Sequence, residues 1–235
     1  MDTLTRLSEL LHTMDDRSDG RASFLYCYTL MSENMLRAVK AGAFHDNDWM
    51  EHFIDHFAGY YFLALDRYEQ DKNSAPRVWA LAHDTALHGS CSVLQKMLLG
   101  INAHINYDLV LTVNDLLRDE WTGHSETLRT RRYEDFCTVN EVIENTIDSV
   151  QDLVLDQENP TYELVDLSLG NLDEWLISRL IRTWRDEVWE QATNLIQIKT
   201  GPEREAFRTG LEVRTLERGE AILFKKGWRS LKDLW

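Results

Sequence analysis

Asn102, His104, Asn106 and Asp108 are four hydrogen-bonding side chains set in a stretch, residues 98–109, that otherwise shows no continuous polar face. Val93, Leu94, Met97, Leu98, Leu99, Ile101, Ala103, Ile105, Leu109, Val110 and Leu111 surround them. A run apolar on every side predicts a helix buried in the middle of a domain. Burying a polar group without a partner costs roughly 1–3 kcal/mol, more for a charged carboxylate. The four must therefore meet partners, and they form either a structural network or a functional site. His104 and Asp108 are one turn apart and share a helix face. An imidazole and a carboxylate in that register suit a general base with its orienting acid, or two ligands of one divalent transition metal such as zinc, iron or manganese. The third outcome is a His–Asp hydrogen bond that ties the helix to its neighbours. Gly100, one turn before His104, leaves room for a ligand or another backbone to come close.

Three further constellations carry weaker signals. Asp48, His52, His56 and Tyr60 repeat at four-residue spacing, and His52 with His56 has the one-turn separation of helical zinc ligands. No glutamate sits between them as a base, and Phe53 and Phe57 define the buried side next door, so the stripe also reads as the half-exposed edge of an apolar face. Asp84 and His88 form a similar pair, read as a solvated or partly covered polar face, with His83 on another side. Arg182, Trp184, Arg185 and Trp189 share a later stretch whose core side is Leu176, Leu180, Ile181 and Val188. An arginine flanked by tryptophans is expected to be partly buried against a carboxylate, and Asp108 is the candidate. Asn140, between Phe136, Val139, Val142 and Ile143, faces the interior as well. Neither a Gly-rich phosphate loop nor a Gly-x-Ser-x-Gly elbow nor a Cys-x-x-Cys pair occurs.

The elements that must position these residues read as helices throughout. Only 3 Pro and 11 Gly occur in 235 residues, 43% of them hydrophobic, a composition of helix formers without the turn residues of a β architecture. The periodicity predicts helices over about 4–14, 22–41, 49–69, 76 onward, 133–155, 172–198 and 201–223. The fourth is expected to run through Gly89 and Gly100 to an interruption near Asn106, and 118–132 is expected to be a polar loop, with another around Asn159-Pro160. The fold class is thus all-α, six or seven helices around a buried central one, with residues 1–224 as a single domain and 225–235 as a tail. The net charge of −15 excludes nucleic acid and anionic membrane as natural partners. Cys27, Cys91 and Cys137 are far apart, odd in number and in apolar contexts, as free thiols in a reducing compartment are. With no apolar leader after Met1 and no spanning run, a cytoplasmic location is expected. Trp228 and Trp235 hint at a tail that docks on the body or on a second subunit of a homo-oligomer.

The string Gln95-Lys96-Met97-Leu98-Leu99-Gly100-Ile101-Asn102-Ala103-His104-Ile105-Asn106-Tyr107-Asp108-Leu109 resembles the hallmark of an uncharacterised family of bacterial and fungal proteins, Gln-x-x-Leu-Leu-Gly-x-Asn-Ala-His-Ile-x-x-Asp-Leu. The resemblance extends to Gly42-Ala43-Phe44-His45-Asp46 with Trp49, to Pro76, Trp79 and Ala82, and to Asp135-Phe136, Asn140, Arg185 and Trp189, roughly residues 20 to 200. It implies an all-α domain with Asn102, His104 and Asp108 at a shared centre, and no activity. His52, His56, His83 and His88 fall outside the pattern. The buried His-x-x-x-Asp pair alone is also similar to zinc-dependent phospholipase C and related helical nucleases, whose N-terminal Trp ligand and second His-x-x-x-Glu pair have no counterpart here.

Two functional expectations follow. In the first, the protein is a small-molecule enzyme, an ester or phosphoester hydrolase with His104 and Asp108 as catalytic or metal-holding groups and Asn102, Arg185 and Asn140 binding substrate. In the second, it binds a ligand or partner without catalysis, and Asn102, His104, Asp108 and Arg185 form a structural polar network.

Overall fold

The computed structural model describes residues 2–89, 91–121, 123, 125–154 and 174–224. Among them all regular structure is helical: α1 Thr3–Asp16, α2 Ala22–Lys40, α3 Asn47–Gln70, a 3₁₀ turn Lys72–Ser74, α4 Arg77–His88, α5 Val93–Ala103, a π-helical segment His104–Leu109, α6 Val110–Trp121, α7 Glu126–Val154, α8 Glu174–Gln197 and α9 Gly201–Leu223. The chain is all-α, as its composition implies. The 159–160 loop and the 225–235 tail with Trp228 and Trp235 lie outside the described residues.

Local chemistry starts and stops these helices. Asp2 accepts from the Thr5 amide at 2.9 Å and Asp46 from the Trp49 amide at 3.0 Å, each satisfying a free donor of a first turn. Pro76 immediately precedes α4 and Thr200 caps α9, whose first turn holds Pro202. The helix expected to run through Gly89 instead ends at His88. Gly89 is extended, and Ser92 opens α5 with a capping box in which its hydroxyl accepts from the Gln95 amide at 3.2 Å and the Gln95 side chain accepts from the Ser92 amide at 3.1 Å. The loop expected over 118–132 is also mostly helical. Its charged residues are good helix formers whose polar side is spent on neighbours: Arg132 binds Glu120 on α6 and Asp46 before α3, and Arg129 donates to the Trp121 carbonyl. Polarity there marks a helix surface, not a break.

One contiguous core joins the helices, with Trp79, Trp184 and Tyr61 among its largest fully buried side chains. The rod formed by α5, the π segment and α6 runs through it. Helices α2, α4 and α9 pack on α5, while α3, α8 and α9 pack on the π segment. His104, Asn106 and Asp108 on the π segment therefore all face protein although they point in different directions. Among the described residues, no helix is long and apolar enough to cross a membrane.

Candidate functional site

The interruption near Asn106 is a widening: six residues, 104–109, adopt π geometry within an otherwise continuous rod. A π turn rotates the residues that follow it relative to an α-helix and is frequent at functional sites. Here it carries two hydrogen-bonded pairs that diverge. His104 Nδ1 lies 3.0 Å from Asp108 Oδ2, and Asn106 Nδ2 donates to Asn102 Oδ1 at 2.9 Å.

The first pair faces α2, α3 and α4. The indole Nε1 of Trp79 donates to Asp108 Oδ2 at 2.9 Å. The imidazole of His104 stacks on Phe57, centroids 3.7 Å apart and rings within 8°, with Tyr28 edge-on at 4.4 Å. Phe24, Tyr61 and Trp79 complete an aromatic cage at about 6 Å. Burial in this cage disfavours every charged form. It pushes the His104 imidazolium well below its usual range and the Asp108 carboxyl well above its own, opposed at Asp108 by the indole donor. Burial thus shifts both groups toward their neutral forms. His104 Nε2, Asp108 Oδ1 and the Tyr28 hydroxyl, all buried, have no hydrogen-bond partner among the described residues.

The second pair faces α9 and α8. Asn102 Nδ2 donates to the Thr215 carbonyl at 2.9 Å, and Arg218 Nη1 donates to Asn106 Oδ1 at 2.7 Å. Arg218 in turn pairs with Glu187 on α8, and the Thr215 hydroxyl contacts the Asn106 carbonyl at 3.2 Å. These contacts satisfy the carboxamides of Asn102 and Asn106, which do not share a wall with His104. The expected four-residue centre is two sites back to back.

Arg185 does not pair with Asp108. Its Nε donates to Asn140 Oδ1 at 2.8 Å, its Nη2 to the Phe136 carbonyl at 2.6 Å, and its guanidinium lies over the Phe136 ring at 4.2 Å. The reason is positional: α7 lies against α8 and intercepts the side chain, while Asp108 turns toward α4. The expected substrate contact of Asn140 is thus a contact to Arg185. At 4% exposure Arg185 has no carboxylate within 4 Å among the described residues, and burial pulls its pKa down to about 10.

His104 and Arg185 both line a cavity of about 170 Å³ bounded by α2, α3, the rod, α7 and α8. Apart from these two and Tyr28, its polar liners are Ser32 and Thr146. Both hydroxyls bond carbonyls of their own helices, Tyr28 at 2.8 Å and Val142 at 2.6 Å. The rest is apolar, with Met31, Phe57 and Ile143 typical. The thiol of Cys27, also in the wall, sits 3.2 Å from the Met97 sulfur, and burial raises its pKa to about 12, far from a nucleophilic thiolate. Sequence reasoning missed the cavity. Its signal was present in Phe24, Tyr28, Met31 and Met35 on one face of α2 and in Val139, Ile143, Thr146 and Ile147 on one face of α7, two helical stripes that needed a common occupant.

The remaining candidates stay apart. His52 is exposed, and its ring lies 6.1 Å from that of His56, which turns to Asp115 at 3.4 Å beside the Tyr60 hydroxyl. Asp84 accepts from Tyr68 and Lys72 while His88 is exposed. His83 is buried against Trp79, and desolvation takes its pKa down to about 3. No group of three or more His, Cys, Asp or Glu side chains converges among the described residues. His104 with Asp108, or His56 with Asp115, thus supplies two donors where a protein zinc centre uses three or four, so neither donor set fits a metal.

One family matches, over residues 1–225, and its description is a family of unknown function (DUF5995). No curated protein and no solved structure matches the chain.

Proposed function

The chain belongs to DUF5995, a family of unknown function, and from the cavity we propose that it binds a small, predominantly apolar molecule between α2, α3, α7, α8 and the central rod. The observation that carries this reading is the wall. Its polar side chains are Ser32 and Thr146, spent on their own helices, and Tyr28, His104 and Arg185. Apolar pockets with a few placed polar groups are how proteins hold small ligands. The Asn102–Asn106–Arg218 network on the opposite side of the rod has no open group and serves packing.

Toluene is the direct probe, since a dry cavity of about 150 Å³ accepts benzene. Saturating toluene is expected to raise the melting temperature of the wild type, because a ligand of the folded state stabilises it by mass action. The effect is expected to vanish in Ile143→Phe, which fills the space. No shift in the wild type would refute the reading.

Hydrolysis is the second reading, favoured by the unpartnered Nε2 of His104 with Asp108 behind Nδ1. A general base works best with a pKa near the working pH, and the cage moves His104 away from that range. This reading predicts turnover of 4-nitrophenyl butyrate that His104→Gln abolishes while toluene binding persists. Turnover unaltered by the substitution removes it.

A further inference from the structure

We propose that Arg185, held in place by Asn140, is the anchor for the carboxylate of the cavity's ligand, which is a monocarboxylic acid with an apolar body about the size of one substituted ring. This rests on the cavity reading and narrows it. A buried guanidinium is ordinarily matched by a carboxylate or phosphate, because an unpaired charge away from water is costly. Arg185 is 4% exposed, lines the cavity and has only neutral oxygens, Asn140 Oδ1 and the Phe136 carbonyl, as acceptors among the described residues. Those two bonds engage two of its five N–H groups and orient the guanidinium, and no carboxylate among the described residues bonds it directly, Asp186 acting on it only from a distance. An anion arriving through the cavity would take the remaining donors as charge-assisted bonds. Among the described residues no other lysine or arginine lines the wall, so a single negative charge is matched and a phosphate dianion is not. Opposite charge and apolar surface within one cavity select an amphiphile: the acid group at Arg185 and the body against Phe57, Ile101, Ile143 and Met31.

Calorimetric titration of the whole protein with 4-phenylbutyrate and with 4-phenylbutanol, which differ only in the charged group, tests this. The acid is expected to bind roughly 10- to 100-fold more tightly, the range of one charge-assisted hydrogen-bond pair. In Arg185→Met the preference is expected to disappear while toluene still binds. The wild-type comparison stands by itself if that variant does not fold. Equal affinities for acid and alcohol would overturn the anchor and leave the cavity reading intact. Tighter binding of the phosphate monoester of 4-phenylbutanol would overturn the assignment to a monoanion. Failure of toluene and both phenyl compounds to bind would overturn the cavity reading and the anchor together.

Discussion

Replacing Asp108 by asparagine preserves the shape of a side chain that is 1% exposed and removes its proton equilibrium. In the wild type, burial lifts the Asp108 carboxyl well above its ordinary 3.8 and drops the His104 imidazolium well below its ordinary 6.5. The unfolded chain releases the Asp108 proton near pH 3.8 while the folded chain keeps it. Stability from this group is therefore fully present below that pH and is lost as pH rises toward the folded value. His104 has the opposite sign. Below pH 6.5 the unfolded chain takes up a proton that the folded imidazole refuses, so its contribution is present above 6.5 and is lost as pH falls. Each slope is about 1.4 kcal/mol per pH unit. In the wild type the two oppose each other in the acid range. In Asp108→Asn only the His104 gain is left. The variant therefore gains on the wild type by about 1.4 kcal/mol for each pH unit between 3.8 and the folded Asp108 value. Re-pairing of Trp79 and His104 shifts its curve by about 1 kcal/mol without altering the slope. Urea unfolding followed by tryptophan fluorescence, between about pH 4.5 and 7.5, measures the difference; the chain has 8 tryptophans. Parallel stability curves for the two proteins would refute the shift of Asp108 toward its neutral form.

Arg132→Ala removes bonds of 3.1 and 3.3 Å to Glu120 and of 2.8 Å to Asp46. The expected loss is about 2 kcal/mol, below the 3–5 kcal/mol of a fully buried pair, since Asp46 and Glu120 are 42% and 28% exposed and rehydrate. A loss under about 0.5 kcal/mol in chemical denaturation would put Arg132 with ordinary surface pairs. Gly100→Ala places a Cβ 2.4 Å from Cγ of Phe24, whose ring Tyr61, Trp79 and His104 hold edge-on. Overpacking of about 1–3 kcal/mol outweighs the helix-propensity gain of about 1 kcal/mol. Gly219→Ala meets the flexible end of Leu81 at 2.9 Å, with Leu99 Cδ2 and Asn102 Nδ2 at the ordinary contact distances of 3.4 and 3.5 Å. Scanning calorimetry is expected to rank Gly219→Ala at or above the wild type and Gly100→Ala below it, and the reverse order contradicts this packing.

The sequence by itself determined that the chain is helical, that the rod around residue 104 is buried, and that His104 and Asp108 share a helix face. These follow from helical periodicity and one-turn spacing, which are local properties of the chain. Gly100 was legible in the same way as a point of close approach, although what approaches is the Phe24 ring. Boundaries at Ser92 and within 118–132 were misread because capping pairs and charge pairs across helices overrode the polar pattern. What only the tertiary structure decided is what faces each side chain. A five-ring cage that includes Trp79 comes to His104 and Asp108 from three other helices, Thr215 and Arg218 come to the asparagines from α9, and Asn140 takes Arg185 away from Asp108. These partners are separated along the chain by as many as 113 residues, and no local pattern encodes such a distance. Protonation state, the cavity and the neutral partners of Arg185 all depend on how the helices dock, because desolvation is a property of the packed neighbourhood and not of the residue.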